Sequence, residues 1–139
     1  MKETNLVNRK LEMTVKKPVH IFIVENNRIF LRMLDYIFTK EFVYRFLEFK
    51  SLEECIQNLH LNPDIIILDY ALPGVNDNDT FKLIKKTNPE SNLIVLLSEK
   101  DDKDPSQVIK EGANDYVLKE NYGVAKIIEK VENVLNTIN

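Results

Sequence analysis

The stretch that most constrains the fold of this chain is a run of four aliphatic residues, Ile65–Leu68. Asn62-Pro63 precedes the run and Pro73-Gly74 follows it, so turn-forming residues limit it on both sides. A short apolar run without polar alternation is typical of a strand buried on both faces of a parallel sheet. The strand ends at Asp69, where open α/β sheets bind their ligands. Asp69 is therefore a functional candidate, but an aspartate that only caps a turn fits this stretch equally well.

The length and charge of the chain limit its class. A chain of 139 residues can bury a core as one domain, without disulfides or a structural metal. The net charge of -3, with both signs interspersed, argues against nucleic acid as the main partner and favours a protein. The single cysteine, Cys55, fits a reducing compartment, and no apolar run approaches the roughly 20 residues of a membrane span. We expect a cytoplasmic protein without direct contact to membranes.

Predicted strands alternate with predicted helices along the chain. Residues 1–17 show no helical face, so we predict an N-terminal tail before a domain that covers residues 18–139. The predicted strands are Val19–Val24, an edge strand in Phe42–Phe49, Ile65–Leu68, Leu93–Leu97 and Asn114–Leu118. The predicted helices are Arg28–Lys40, one from the capping box Ser51–Glu54 to His60, one capped by Asp79 or Asn78, one from Asp104-Pro105 to Gly112, and Val124–Ile138. This pattern predicts an α/β fold, with one doubly wound parallel sheet of five strands between five helices.

The helix predicted after the first strand is amphipathic. Its predicted core face has six members, namely Ile29, Phe30, Met33, Leu34, Ile37 and Phe38. We interpret this face as packing surface, because an apolar stripe at helical spacing is more often core than a cofactor site.

Polar side chains follow four of the predicted strands. They are Glu25, Asn26, Asp69, Ser98 and Lys119. Because the carboxyl ends of parallel strands meet at one edge of a sheet, we expect these side chains to lie close together. A carboxylate, a hydroxyl and an ammonium are the groups that hold a phosphoryl group together with Mg²⁺. Their joint occurrence favours a functional Asp69 over a turn cap.

This set of residues resembles the receiver domain of two-component response regulators, from about Lys17 to Asn139. The resemblance implies a flavodoxin-like strand order, 2-1-3-4-5. It also implies that Asp69, in Ile-Leu-Asp-Tyr-Ala-Leu-Pro-Gly, accepts a phosphoryl group. The implied function is a signalling phosphoacceptor that assists its own phosphorylation, and not a conventional enzyme.

The resemblance assigns roles to the other residues of this edge. Ser98 and Lys119 contact the phosphoryl group, and Ser98 and Tyr116 form a switch. The implied ligands of Mg²⁺ are Glu25, Asn26, Asp69 and Ala71. The implied partners are a histidine kinase or phosphotransfer protein and a downstream effector protein, which reads the surface of the fourth helix, fifth strand and fifth helix. A homodimer is compatible with these features.

The chain departs from the family pattern at four places. Asn26 replaces an acid that normally contacts the metal, and Glu99 replaces a small residue beside Ser98. Glu120 replaces a proline that commonly carries a cis peptide, which costs about 3 kcal/mol before other residues, so we expect a different loop. The loop Val75–Asp79 is about three residues longer than usual. These departures keep open a second hypothesis, a receiver-like interaction module that is not phosphorylated.

A phosphatase that uses an aspartate nucleophile is a third reading of the same carboxylate. Such an enzyme needs a second aspartate two residues after the first, and Ala71 occupies that position. The sequence therefore favours the receiver over the phosphatase.

Overall fold

The computed structural model describes residues 19–38, 44–77, 79–120 and 123–138. The strands are β1 (Val19–Val24), β2 (Tyr44–Phe49), β3 (Ile65–Asp69), β4 (Asn92–Leu97) and β5 (Asp115–Leu118). The α-helices are α1 (Arg28–Phe38), α2 (Leu52–Gln57), α3 (Thr80–Thr87), α4 (Pro105–Lys110) and α5 (Gly123–Ile138). Two short 3₁₀ helices cover Leu59–Leu61 and Glu99–Asp101. The predicted tail and the start of the second strand, residues 42 and 43, lie outside the described residues.

The five strands form one parallel sheet in the order β2-β1-β3-β4-β5, which confirms the predicted fold class. β3 is the central strand, and its five residues are all buried, as the unbroken aliphatic run predicted. β2 is an edge strand, as its charged residues Arg45 and Glu48 indicated. The order places the carboxyl ends of β1, β3, β4 and β5 side by side.

Each face of the sheet has its own hydrophobic core, because successive side chains of a strand point to opposite faces. Ile66 and Leu68 pack against Cys55 of α2, Phe81 of α3 and Val108 of α4. The alternate residues of β3 pack on the other face against α1 and α5, and the buried members of those helices are Leu31, Leu34, Phe38, Ile127, Val131 and Val134. Each fully buried aliphatic side chain contributes about 1.5–3 kcal/mol of transfer free energy. These two layers hold the strand ends rigidly.

The predicted core face of α1 was partly wrong. Leu34 and Phe38 are buried, but Leu31 is buried with them, while Ile29 is 74% exposed and Met33 is 48% exposed. At about 100° per residue, Ile29 and Met33 lie on the side of the helix opposite Leu31. Apolar residues therefore cover a wider arc of this helix than the core needs, and only the stripe that faces the sheet forms core.

The helix starts are formed in different ways. The Asp104 carboxylate accepts a hydrogen bond from the Ser106 amide at 3.0 Å, which confirms the predicted cap before Pro105. Asp79 stands at the start of α3 with φ of 72°, but its side chain makes no capping hydrogen bond. Instead, the Thr80 hydroxyl donates to the Gly74 carbonyl at 3.0 Å and holds the preceding loop. Asn78 lies outside the described residues.

None of the described helices has the length and apolar character needed to cross a membrane.

Candidate functional site

Glu25 and Asp69 lie side by side at one edge of the sheet because their strands are hydrogen-bonded neighbours. Val24 of β1 is in register with Leu68 of β3, so the next residue along each strand is a carboxylate. Both carboxylates are almost fully buried. Two buried like charges repel each other and lose hydration, so the fold needs a cation at this position.

Lys119 supplies that cation from the end of β5. Its Nζ lies 2.6 Å from Glu25 Oε2 and 3.2 Å from Asp69 Oδ2. The three side chains are 18%, 1% and 6% exposed for Lys119, Glu25 and Asp69, respectively. The same ammonium lies 5.1 Å from the ring centre of Phe30, a cation–π distance. We call Glu25, Asp69 and Lys119 the charged triad.

The backbone holds one oxygen of each carboxylate. Glu25 Oε1 accepts the amides of Asn26 at 3.1 Å and Asn27 at 3.0 Å. Asp69 Oδ1 accepts the amide of Ala71 at 3.2 Å. The other oxygen of each carboxylate faces Lys119, so the acceptors that can reach an incoming ligand are oriented before it arrives.

The environment shifts the pKa values of two groups in the triad. Burial is the main reason that the pKa of Asp69 rises from 3.8 to about 6, and the nearby Glu25 raises it further, while Lys119 and the Ala71 amide act in the opposite direction. Burial by itself lowers the pKa of Lys119, but its hydrogen bond to Glu25 and the charges of both carboxylates raise it overall. The lysine is therefore charged at neutral pH, and Asp69 loses its proton at about pH 6.

Ser98 follows β4 on the same edge, but its hydroxyl is already engaged. Ser98 Oγ donates to Glu120 Oε1, and the amide of Glu99 donates to the same oxygen at 3.0 Å. The Ser98 amide donates to Asp101 Oδ2 at 2.7 Å, which closes the 3₁₀ helix that follows. Among the described residues, Ser98 makes no hydrogen bond to the charged triad.

Comparison with known proteins places this chain in a family. Residues 21–132 match the family model of the response regulator receiver domain. The chain belongs to this family. The chemotaxis protein CheY of Thermotoga maritima is 30% identical over 74 residues, which cover 53% of this chain and 61% of CheY. The transcriptional regulatory protein AfsQ1 of Streptomyces coelicolor is 37% identical over 57 residues, 41% of this chain and 25% of AfsQ1. The aligned segment is thus well short of the full length of either relative.

Solved receiver domains have the same fold. The receiver domain of the TMAO respiratory system response regulator TorR is 29% identical, with a TM-score of 0.71, over 88% of this chain and all of that one. A putative response regulator from Chloroflexus aurantiacus is 25% identical, with a TM-score of 0.72, over 86% of this chain and 99% of that one. Receiver domains are signalling modules of two-component systems, in which response regulators work with histidine kinases and effectors.

The remaining predicted site residues of this receiver domain lie around the triad or farther along the sheet. Asn26 and Ala71 are exposed, and the contact that links each to the triad is a backbone amide. Tyr116 is half-buried and packs against the core on the side of α2, α3 and α4. The peptide bond before Glu120 is trans, as the replacement of proline predicted.

Two contacts of this receiver domain were not predicted from the sequence. Phe30 was predicted only as part of a core face, but its ring also contacts the Lys119 ammonium. Glu120 was recognised as a departure from the family pattern, but its hydrogen bond to Ser98 was not predicted. The strand register gave a usable signal for Glu120, since Leu97 and Leu118 are paired and Ser98 and Glu120 follow them closely.

The oxygen atoms of the triad fit a divalent cation. Glu25 Oε2 is buried and makes no hydrogen bond of good geometry, although it forms the ion pair with Lys119. Mg²⁺ prefers oxygen ligands, and one or two carboxylates with several waters are enough to hold it. Within the described ranges, no group of three or more His, Cys, Asp or Glu side chains gathers as a metal cluster. The residues present therefore fit Mg²⁺ with few protein ligands.

Proposed function

We propose that this receiver domain accepts a phosphoryl group on Asp69 from the phosphohistidine of a histidine kinase or phosphotransfer protein. The observation that carries the proposal is a buried carboxylate at the end of the central strand that is paired with Lys119 at 3.2 Å. In the reaction, a carboxylate oxygen of Asp69 forms a bond to phosphorus while the bond from phosphorus to the histidine nitrogen breaks. The proton required by the histidine leaving group comes from the donor side or from solvent.

The triad contributes position and charge to this reaction. The Ala71 amide holds Asp69 Oδ1, so Asp69 Oδ2 is the oxygen that faces the ligand and acts as the nucleophile. Lys119 neutralises negative charge on the phosphoryl oxygens in a site where water is scarce and charges interact strongly. Mg²⁺, held by Glu25 and Asp69 with the Asn26 and Ala71 positions beside them, supplies further neutralisation when it is bound.

The response to phosphorylation runs along β4 and β5. The acyl phosphate brings nearly two negative charges to the sheet edge, and Ser98 and Lys119 are the nearest candidates to bind them. Movement of Ser98 then changes the space available to Tyr116, and the surface formed by α4, β5 and α5 passes the signal to an effector in the cytoplasm.

A second candidate function is an interaction module that works without phosphorylation. Two observations favour it, namely the amide of Asn26 where relatives have an acid and the engagement of Ser98 by Glu120. Both weaken the phosphoryl site without disturbing the fold.

Phosphorylation by acetyl phosphate with Mg²⁺ distinguishes the two functions. We expect the intact protein to gain the mass of one phosphoryl group and Asp69→Asn to gain none. Asp77→Asn, which removes an exposed carboxylate of the neighbouring loop, serves as the matched control and is expected to label like the wild type. Equal labelling of Asp69→Asn would remove Asp69 from the mechanism. A wild type that is never labelled would favour the interaction module.

Mg²⁺ affinity gives a second test of the site, through Asn26→Asp. A carboxylate brings a full charge where the amide brings a dipole, and hard cations follow the ligand charge count. We expect the variant to bind Mg²⁺ about tenfold more tightly, about 1.4 kcal/mol. The same carboxylate repels Glu25 and Asp69, so the metal-free variant should be less stable than the wild type.

Mg²⁺ titration and thermal melts in EDTA measure these two effects. Asn27→Asp serves as the control, because it adds a charge at the neighbouring position in the loop. If Asn26→Asp binds Mg²⁺ no better than the wild type, Asn26 does not face the ion.

A further inference from the structure

The pairing of β4 with β5 brings Glu120 and Ser98 into contact. Leu97 of β4 is in register with Leu118 of β5, and the Lys119 amide donates to the Leu97 carbonyl at 2.9 Å. This ladder brings the residues after each strand together. Glu120 Oε1 then accepts two hydrogen bonds, from the Ser98 hydroxyl and from the Glu99 amide. An exposed side chain thus has a defined position at the edge of the site.

We propose that Glu120 is an internal anion that occupies the Ser98 hydroxyl, with the Glu99 amide holding it there, and has to leave before Ser98 binds a phosphoryl group on Asp69. The inference rests on the proposed function, because it treats Ser98 as a phosphoryl contact. Glu120 is a positioning residue, since it acts through Ser98 and not on the reacting atoms.

The donor count makes the binding exclusive. A serine hydroxyl has one hydrogen to donate, and a backbone amide has one. Both hydrogens point to the same oxygen of Glu120 in this structure. A phosphoryl oxygen that takes the Ser98 hydrogen therefore breaks the Glu120 contact. The two anions therefore compete for the Ser98 hydroxyl.

The charge of Glu120 strengthens the competition. Its hydrogen bond from Ser98 lowers the pKa of the Glu120 carboxyl, so this group is ionised at neutral pH. A carboxylate beside a dianionic phosphoryl group adds like-charge repulsion to the loss of the donors. Because Glu120 is exposed, it can turn into solvent when the phosphoryl group arrives, without opening the core. The contact therefore weakens the response of the switch and does not block it.

Beryllofluoride, with Mg²⁺, is the probe for this competition because it replaces the phosphoryl group on the aspartate without a chemical step. Its affinity for the full chain can be measured by NMR titration of backbone amides. We expect Glu120→Ala to bind beryllofluoride about tenfold more tightly, the size of one competing charge-assisted hydrogen bond. Glu120→Gln keeps an acceptor oxygen and loses the charge, so its gain should be smaller than that of the alanine variant.

The matched control is Glu99→Gln, which removes an exposed carboxylate one residue from Ser98 and keeps the Glu99 backbone amide. We expect its beryllofluoride affinity to stay within about twofold of the wild type, because the Glu99 carboxylate is exposed to water and accepts no hydrogen bond from Ser98. If Glu99→Gln gains as much beryllofluoride affinity as Glu120→Ala, the gain comes from the loss of any nearby negative charge, and the proposal is overturned. A Glu120→Ala variant that binds no more tightly than the wild type would also overturn it.

A Ser98→Ala background tests whether Glu120 acts through Ser98. If it does, Glu120→Ala in the Ser98→Ala background raises the beryllofluoride affinity by much less than tenfold. A purely structural or long-range effect of Glu120 leaves the tenfold gain in affinity unchanged and contradicts the proposal. Failure of the proposed function looks different. In that case neither the wild type nor any variant binds beryllofluoride or is labelled by acetyl phosphate, and the inference falls with it.

Discussion

Lys119→Ala is expected to destabilise the metal-free protein by about 3 kcal/mol, the cost of removing one partner from a buried ion pair. Lys119 lies 2.6 Å from Glu25 and 3.2 Å from Asp69, and both carboxylates are buried. Without the ammonium, two like charges remain side by side in a site of low polarity. The variant can relieve this repulsion by protonating Asp69. In the wild type the pKa of Asp69 is about 6 although Lys119 lowers it, so removing Lys119 raises this pKa further.

Because Asp69 can take up a proton, the stability lost in Lys119→Ala depends on pH. At pH 6 the variant takes up a proton on Asp69 at little cost and only Glu25 loses its partner, so the difference from the wild type is smaller than at pH 8. At pH 8 the same proton is harder to acquire, and the difference approaches its full size. Urea denaturation of both proteins at pH 6 and pH 8, in buffer with EDTA, measures the two values.

Two further variants separate charge from packing. Lys119→Met keeps most of the side-chain volume and should lose nearly as much stability as Lys119→Ala at pH 8. Lys126→Ala removes an exposed lysine whose ion pair with Glu129 is at the surface, and it should change the free energy of unfolding by less than about 0.5 kcal/mol. A loss at Lys119 that is independent of pH would show that protonation of Asp69 does not relieve the missing charge.

The fold could be predicted from the sequence because the buried strands have a simple signature. Ile65–Leu68 is aliphatic without interruption and stands between turn-forming residues, which is typical of a strand covered on both faces. The core face of α1 could not be predicted in the same way. Apolar residues cover a wide arc of that helix, and the choice between Leu31 and Ile29 depends on how the helix is rotated against the sheet. That rotation is a property of the packed structure.

The meeting of Glu25, Asp69 and Lys119 could be predicted from topology alone. Parallel strands end at the same edge, so residues that follow them come together whatever their identity. The closer of the two partners of Lys119 could not be predicted. The lysine side chain is long, rotates about four bonds and can reach either carboxylate. Glu25 has the shorter contact, at 2.6 Å.

The hydrogen bonding of Ser98 could not be predicted from the sequence. Its position after β4 was correct, and its predicted role as a phosphoryl contact depends on a free hydroxyl. The hydroxyl is instead bonded to Glu120, a residue that the sequence marks only as the absence of a proline. Competition between side chains for one donor depends on distances that a sequence pattern does not contain.

Asp69→Asn is expected to stabilise the metal-free protein at pH 8 by about 1–2 kcal/mol. The ionised carboxylate is buried next to Glu25, and these two causes raise its pKa from 3.8 to about 6. A shift of this size sets an upper limit of about 3 kcal/mol, since each pKa unit corresponds to about 1.4 kcal/mol. The asparagine amide removes the charge but still has to be buried, which reduces the gain.

The sign of the pH dependence follows from the direction of the shift. Between pH 4 and pH 6 the folded chain keeps a proton on Asp69 that the unfolded chain has lost. The contribution of Asp69 to stability is therefore fully present below about pH 4 and is lost as pH rises through about 6. Asp69→Asn has no such proton, so the two proteins should be about equally stable at pH 4 and should diverge as the pH rises.

Thermal or urea unfolding from pH 4 to pH 8 measures this divergence, with Asp77→Asn as the control that should follow the wild type at every pH. If Asp69→Asn is no more stable than the wild type at pH 8, Lys119 compensates the buried charge completely. Mg²⁺ should reverse the order, because a cation that binds the carboxylates of Glu25 and Asp69 stabilises the wild type more than the variant. The charge that destabilises the protein in EDTA is thus the charge that binds the metal, and Asp69→Asn should raise the stability in EDTA and lower the affinity for Mg²⁺.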